Sequence, residues 1–267
     1  MKHFGISDVG NVRTVNEDSY TVTAVADNAL LAVVCDGMGG LSCGDIASKL
    51  ALDSFVDAVN RLCRGRIREG RLALSDRDAD LILANAASRA NSVVMDYRRE
   101  HEEIDRMGTT LVAALVIDLD GHATVSWVNI GDSRIYTVDQ RDILQVSRDH
   151  SYVQYLVDTG EITYAEAKHH PKSNIITRAI GIGDDIEPDV DTFPLSGEEC
   201  AMTHVFLCSD GFSGSLDEDA CMAKINDPSK DVTEKATELV NEIKRIDGSD
   251  NITLIMIDLG DIAHGKL

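Results

Sequence analysis

The stretch V-V-C-D-G-M-G-G-L-S-C-G, residues 33–44, constrains the chain more than any other. An apolar run from Leu30 to Val34 reads as a buried strand. It stops at Asp36, and Gly37, Gly39 and Gly40 follow at once. From Asp45 through Leu62 apolar residues recur at the 3.6-residue period of a helix. A carboxylate thus stands where a core strand ends, beside backbone that can turn tightly and approach a ligand closely. Carboxylate oxygens with an accessible carbonyl suit a hard divalent cation. A glycine turn with a solvated Asp fits this segment equally well. Phosphate cradling has less support, because neither G-x-G-x-x-G nor a Walker lysine is present. What separates these readings is whether further acids stand at strand ends.

The chain is 267 residues long, enough for one large domain or at most two. Aromatics make up only 4%, so the core must be mostly aliphatic and alanine. The formal net charge of −21 argues against nucleic acid and anionic membrane as partners. Phosphate recognition, if any, must then be local, through a metal or a placed arginine. No apolar run approaches the roughly 20 residues of a membrane span, and M-K-H-F-G-I-S-D lacks the apolar region of a signal peptide. A cytoplasmic location is the default expectation. Cys35, Cys43, Cys63, Cys200, Cys208 and Cys221 form no C-x-x-C pair and read as reduced thiols, with no zinc site expected.

Along the chain, strands at 2–9 and 18–26 flank N-V-R-T-V-N-E-D, which carries Arg13, Asn16, Glu17 and Asp18. The helix at about 45–63 has Ala47, Leu50, Ala51, Ser54, Ala58 and Leu62 on one face. Arg61, Arg64, Arg66, Arg68 and Arg71 then form the one basic patch, read as a solvated helix–helix loop in preference to a docking site for an acidic partner. A second helix at about 78–103 repeats the helical period through Leu83, Ala87, Ala90, Val94 and Tyr97, so a helical pair packed on a sheet is expected. From Gly108 the pattern turns to strands, with a hairpin at Asp118–Gly121 favoured over a calcium loop. Residues 150–193 read as a surface insertion over the sheet rather than a core element. V-F-L-C-S-D-G at 205–211 is a third strand ending in Asp-Gly, helices follow at about 217–225 and 229–246, and S-D-N precedes the closing strand I-T-L-I-M-I-D. No repeat, low-complexity segment or domain boundary stands out, so residues 1–267 read as a single domain.

Glu17 with Asp18, Asp36, Asp132, Asp210 and Asp250 each border an apolar strand beside glycine, serine or asparagine. Any one of them alone reads as a turn acid. Their repetition points to a shared oxygen-ligand site, which favours Mg²⁺ or Mn²⁺ over Zn²⁺ and has charge enough for two ions.

The segments R-T-V-N-E-D (13–18), D-G-M-G-G (36–40), M-G-T-T-L (107–111), G-D-S-R-I-Y (131–136), D-H-S (149–151), C-S-D-G-F (208–212) and S-D-N-I-T (249–253) occur in that order. Together they resemble the metal-dependent serine/threonine protein phosphatases of type 2C in their compact bacterial form. The resemblance implies an α+β fold, a four-layer αββα sandwich of two antiparallel sheets flanked by helix pairs. It implies two Mn²⁺ or Mg²⁺ ions bridged by Asp36. Asp210 and Asp250 would complete one site, and Glu17 with the Gly37 carbonyl would serve the other. Asp18 would stand behind the ligands, Arg13 would clamp phosphate, and Asp132 with Asp210 would hold a weaker third ion. Residues 150–193 would form the variable flap. Two departures stand out, Met38 and Leu41, where relatives often carry histidine.

The activity implied is hydrolysis of phosphoserine and phosphothreonine in proteins by a metal-bridging hydroxide, opposing a bacterial Ser/Thr kinase, in a protein expected to act as a monomer. The alternative is a regulatory phosphoprotein-binding module on the same fold that has lost turnover. Departures at Met38 and Leu41 speak for that module, and retention of every matched acid speaks against it. A purely structural acidic protein would leave the repeated Asp-Gly strand ends as coincidence.

Overall fold

Long apolar runs become strands buried on both faces, because each sheet is covered by helices on one side and by the other sheet on the other. The computed structural model describes residues 1–39, 43–101, 103–104, 106–119, 123–195 and 202–260. Within them the order is β1 (Lys2–Asp8), β2 (Asp18–Ala26), β3 (Ala29–Gly39), α1 (Gly44–Cys63), β4 (Ile67–Arg68), β5 (Arg71–Leu72) and α2 (Asp76–Glu100). There follow β6 (Met107–Thr109), β7 (Leu111–Asp118), β8 (Ala123–Ile130), β9 (Arg134–Val138), β10 (Ile143–Gln145), α3 (Tyr152–Asp158) and α4 (Tyr164–Ala167). The chain continues with β11 (Asp189–Pro194), β12 (His204–Cys208), α5 (Asp210–Ser213), α6 (Glu218–Ile225), α7 (Val232–Ile246) and β13 (Ile252–Asp258). No helix among the described residues is long and apolar enough to cross a membrane.

One antiparallel sheet runs β1-β13-β12-β9-β10, and the other β11-β8-β7-β3-β2 with β6 paired to the end of β3. The two-residue side-chain alternation of a strand distributes the core into three layers. Val205 and Leu207 of β12, with Ile255 and Ile257 of β13, meet Ala32, Val34, Val112 and Ala114 between the sheets. Phe206, Leu254 and Met256 point the other way, onto Leu239, Val240 and Ile243 of α7. Leu31, Val33 and Cys35 turn outward onto Phe55 and Val59 of α1 and Leu83 and Ala87 of α2. This is the αββα sandwich. Helix starts are fixed locally. Ser75 accepts from the Asp78 N–H at the head of α2, and Asp231 with Glu234 forms a capping box at the head of α7.

Several expectations are corrected. β3 does not stop at Asp36 but runs on to Gly39, because Gly37, Met38 and Gly39 find a new partner in β6. The core face of α1 keeps Ala47, Ala51 and Ala58, as read in sequence, but also takes in Phe55, Val59 and Cys63 and leaves Leu62 exposed. The bulky Phe55 sets the face, and Leu50 only borders the cluster. The arginine link is no open loop but the hairpin β4–β5, turned by Glu69 and Gly70, both at positive φ. There Arg61 pairs with Asp57 and Arg66 with Asp78. Residues 150–193 run into the sheet itself, since β11 is the edge strand beside β8, and Ile180 is buried and bridged to Thr109. Cys35, Cys63, Cys208 and Cys221 are buried thiols. Gly40, Leu41, Cys200 and part of the Asp118–Gly121 hairpin lie outside the described residues.

Candidate metal centre

The strand ends bring the acids together. Asp18 opens β2 and pairs in register with Asp36 on β3. Asp210 follows β12 as the first residue of α5, Asp132 sits in the turn between β8 and β9, and Asp250 stands two residues before β13. Glu17 immediately precedes β2.

Backbone contacts fix these positions. The Gly37 N–H donates to the Glu17 carbonyl at 3.1 Å. A Cβ at Gly37 would lie 2.1 Å from the Gly44 carbonyl oxygen, and one at Gly44 would lie 2.6 Å from Glu17 Oε1, so only glycine allows this approach. The Asp36 N–H donates to Thr110 Oγ1 at 2.9 Å, while its carbonyl accepts from Thr109 Oγ1 at 2.8 Å. Thr110 Oγ1 in turn meets Ser133 Oγ at 2.7 Å, beside Asp132. Asn251 accepts from the Glu17 N–H at 2.8 Å and donates to the carbonyls of Val9 and Val15 at 3.0 and 3.1 Å, pinning the loop before β2 onto the head of β13. Asp18 Oδ2 accepts from Ser209 Oγ at 2.9 Å and Thr253 Oγ1 at 2.5 Å.

Burial and mutual repulsion disfavour the charged forms of these acids. Burial pushes the Asp18 carboxyl up to about 7, against the hydroxyls of Thr253 and Ser209 and with Asp210 and Asp250 adding to the rise. Burial and then Asp210 and Asp149 push Asp132 up to about 8. Asp36 is raised well above the carboxylate range by burial and by Asp18, Asp210 and Asp132. Asp210 is raised by burial and by Asp250. Glu17 is raised by burial, with the Gly44 N–H and Arg13 opposing. Asp18 Oδ1 and Asp132 Oδ1 are buried without a hydrogen-bond partner.

Crowded carboxylates and orphaned buried oxygens are what a divalent cation relieves, so the residues fit an oxygen-ligand Mn²⁺ or Mg²⁺ site. Among the described residues no three His, Cys, Asp or Glu side chains converge into a closed metal cage. The fit therefore rests on charge and unpartnered oxygens.

Arg13, half exposed, donates from Nη2 to Asp250 Oδ2 at 2.8 Å. A groove of about 830 Å³ begins at Asp132 and Asp210 and passes Arg134 and Gln145 to Tyr164 and Lys168. At its inner end Arg134 forks onto Asp149, Nε to Oδ1 at 2.9 Å and Nη2 to Oδ2 at 2.7 Å. Every acid named from sequence thus lies in one mutually coupled group or borders it. Reading by residue type passed over Asn251, Thr109, Thr110, Ser133 and the Arg134–Asp149 pair. All of them sit inside the quoted motifs, which was the only signal available.

The protein phosphatase 2C family profile matches residues 11–245. The serine/threonine phosphatase stp of Listeria welshimeri is 31% identical over 260 residues, covering 97% of this chain and 96% of that protein. Among solved structures, the serine/threonine phosphatase Stp1 from Staphylococcus aureus superposes with a TM-score of 0.82 at 30% identity, covering 96% of this chain and 93% of that one. The catalytic domain of the serine threonine protein phosphatase PstP, solved in complex with two manganese ions, superposes with a TM-score of 0.75 at 29% identity, covering 96% and 97%. On this match, on the two antiparallel sheets between helix pairs and on the acids gathered at the strand ends, the chain belongs to the protein phosphatase 2C family.

Proposed function

We propose that this protein hydrolyses phosphoserine and phosphothreonine in proteins and depends on divalent metal to do so. The observation that carries the reading is the mutually repelling set Asp18, Asp36, Asp132 and Asp210, two of them with orphaned oxygens, of which Asp132 and Asp210 line a groove of about 830 Å³. Asp36 would be the acid shared by two Mn²⁺ or Mg²⁺ ions, with Asp210 and Asp250 on one and Glu17 and the Gly37 carbonyl on the other. Asp132 would serve a weaker third. The ions, when bound, supply Lewis acidity toward the phosphoryl oxygens and raise the acidity of water.

The chain's own residues do the rest. Asn251 and Gly37 hold Glu17 in place through its backbone. Thr109 and Thr110 fix the Asp36 peptide, and Asp18 anchors Ser209 beside Asp210. Arg13, a planar fork at the rim, binds the substrate phosphate. Met38 lies in β3 opposite Gly108, and its thioether has no proton to give. The groove past Arg134 receives the chain that carries the phosphoresidue, and the flap at 150–193, within a single domain of 1–267, borders it. Substrates are then phosphoproteins, with a cognate Ser/Thr kinase as the opposing enzyme, and the protein is read as a cytoplasmic monomer in signalling. Retention of every matched acid outweighs the departures at Met38 and Leu41, so the binding module without turnover is not favoured.

The test is release of phosphate from a phosphothreonine peptide with Mn²⁺, with Mg²⁺ and in chelator. Turnover with metal and loss in chelator is the expected result. Undiminished turnover after exhaustive chelation would sink the reading.

A further inference from the structure

His150, in the segment after β10, is buried at 6% exposure, and it holds the two peptide groups on either side of Gly131. The Gly131 N–H donates to His150 Nδ1 at 3.1 Å, and the His150 N–H donates to the Gly131 carbonyl at 2.8 Å. Gly131 sits at φ +113, where a Cβ would stand 2.6 Å from Thr110 Cγ2, and the next residue is Asp132. A backbone N–H can only donate, so Nδ1 must accept and the ring proton must sit on Nε2. Nε2 lies 3.2 Å from Asp189 Oδ2. Arg178 Nη1 donates to Asp189 Oδ1 and to the Glu187 carbonyl, both at 3.1 Å. The same Nη1 lies 3.3 Å from His150 Nε2, which accepts nothing from it while Nε2 carries the ring proton, so Asp189 stands between two donors.

Two further contacts close the arrangement. Asn129, the register partner of Asp189, donates to the Gly131 carbonyl at 3.3 Å and the Arg148 carbonyl at 3.1 Å. The Thr177 N–H donates to the His150 carbonyl at 2.8 Å. Residues 177–178 of the flap are thereby joined to the turn that presents Asp132. Burial holds His150 below its ordinary range against the upward pull of Asp189, which agrees with a neutral ring.

We propose that His150 is a positioning residue for Asp132. Its Nε2-protonated ring, aimed by Asp189, holds the Gly131 N–H while its backbone N–H holds the Gly131 carbonyl, and together they set the direction in which Asp132 faces the centre. This rests on the role given to Asp132 above. The two arms of the ring are separable by substitution. In His150→Asn the amide oxygen can replace Nδ1 as acceptor while the reach to Asp189 is lost. His150→Gln reaches toward Asp189 but leaves the Gly131 N–H without its acceptor.

The experiment uses the full chain. Nitrogen NMR of the protein without added metal reads the His150 tautomer and the exchange rate of the Gly131 amide, and phosphopeptide kinetics at saturating Mn²⁺ read kcat and KM. The wild type should show the Nε2–H tautomer. His150→Gln should exchange the Gly131 amide about 10-fold faster and lose kcat by about 10-fold or more at unchanged KM, the scale of a slightly misdirected group. His150→Asn should stay within about 3-fold of the wild type on both counts. An Nδ1–H tautomer, or a Gly131 amide still protected in His150→Gln, overturns the clamp. Faster exchange in His150→Gln with kcat intact overturns the link to Asp132, whereas the catalytic reading of that acid falls only if Asp132→Ala also keeps its kcat. Should the Gln variant not fold, the tautomer in the wild type decides the matter.

Discussion

Arg13 Nη2 donates to Asp250 Oδ2 at 2.8 Å, so the arginine assigned to phosphate and an acid assigned to metal share one bond. The pair is roughly half exposed, so the bond itself contributes little to stability. Its interest is competition, because metal at Asp250 and phosphate at Arg13 each draw one partner away from the other.

Replacing Arg13 should therefore weaken substrate binding without weakening metal binding. Arg13→Ala is expected to raise KM for a phosphopeptide by about 10-fold or more with kcat within a few-fold, as for an interaction present in both ground and transition state. Calorimetric Mn²⁺ affinity should be equal or tighter, since a neighbouring cation has gone. A large fall in kcat at constant KM would contradict this.

The raised acids predict how stability follows pH. Asp18 and Asp132 titrate near 7 and 8 in the folded protein against an ordinary value of 3.8. A folded-state acid raised above its unfolded value contributes stability that is full below about pH 4 and is lost as pH rises through the folded value. In chelator the melting temperature should thus fall between pH 5 and pH 8, by about 5 °C or more. Saturating Mn²⁺ should abolish the fall. A flat profile in chelator would mean that the acids do not repel one another as described.

Asp132→Ala separates a catalytic acid from a turn cap. If Asp132 serves only the weaker ion, calorimetry should still count two tight Mn²⁺ ions. Turnover of a phosphopeptide should drop roughly 10²-fold, the scale of a lost acid–base contribution. Near-normal kcat with a lowered melting temperature would assign Asp132 to structure alone.

Asn251 accepts one backbone hydrogen bond and donates two, all in a buried site. Asn251→Ala leaves those groups unsatisfied and should cost about 1–3 kcal/mol in chemical denaturation. Because the freed loop carries Glu17, Mn²⁺ affinity should fall as well. Unchanged metal affinity in the destabilised variant would show that the loop holds its place without the asparagine.

The acids were legible because each borders an apolar run beside a glycine or a small polar residue, a local pattern. The layers were legible for the same reason, since period-two and period-3.6 runs are properties of short windows. What escaped depends on distant partners. The face of α1 turns on Phe55, which meets strands and a helix that no window contains. β11 reads D-V-D-T-F-P, polar enough to pass for loop, and becomes a strand because β8 has a free edge to pair with. Asn251, Thr110 and His150 act through bonds to backbone more than a dozen residues away, so their roles appear only once the chain is folded.

β13, residues 252–258, lies between β1 and β12 in the interior of its sheet, and among the described residues it is the only sheet neighbour of the edge strand β1. A chain emerging from the ribosome makes β1 first and must carry it without its neighbour until residue 258 is out. The sheet cannot be zipped up progressively, and its interior strand arrives last. Asp250 and Asn251 arrive with that strand, so Arg13 and Glu17 wait for their partners until late in synthesis. A nascent chain arrested before Ile252 would hold every one of the acids yet neither finished sheet nor turnover, which keeps an unfinished phosphatase silent while it is still being made.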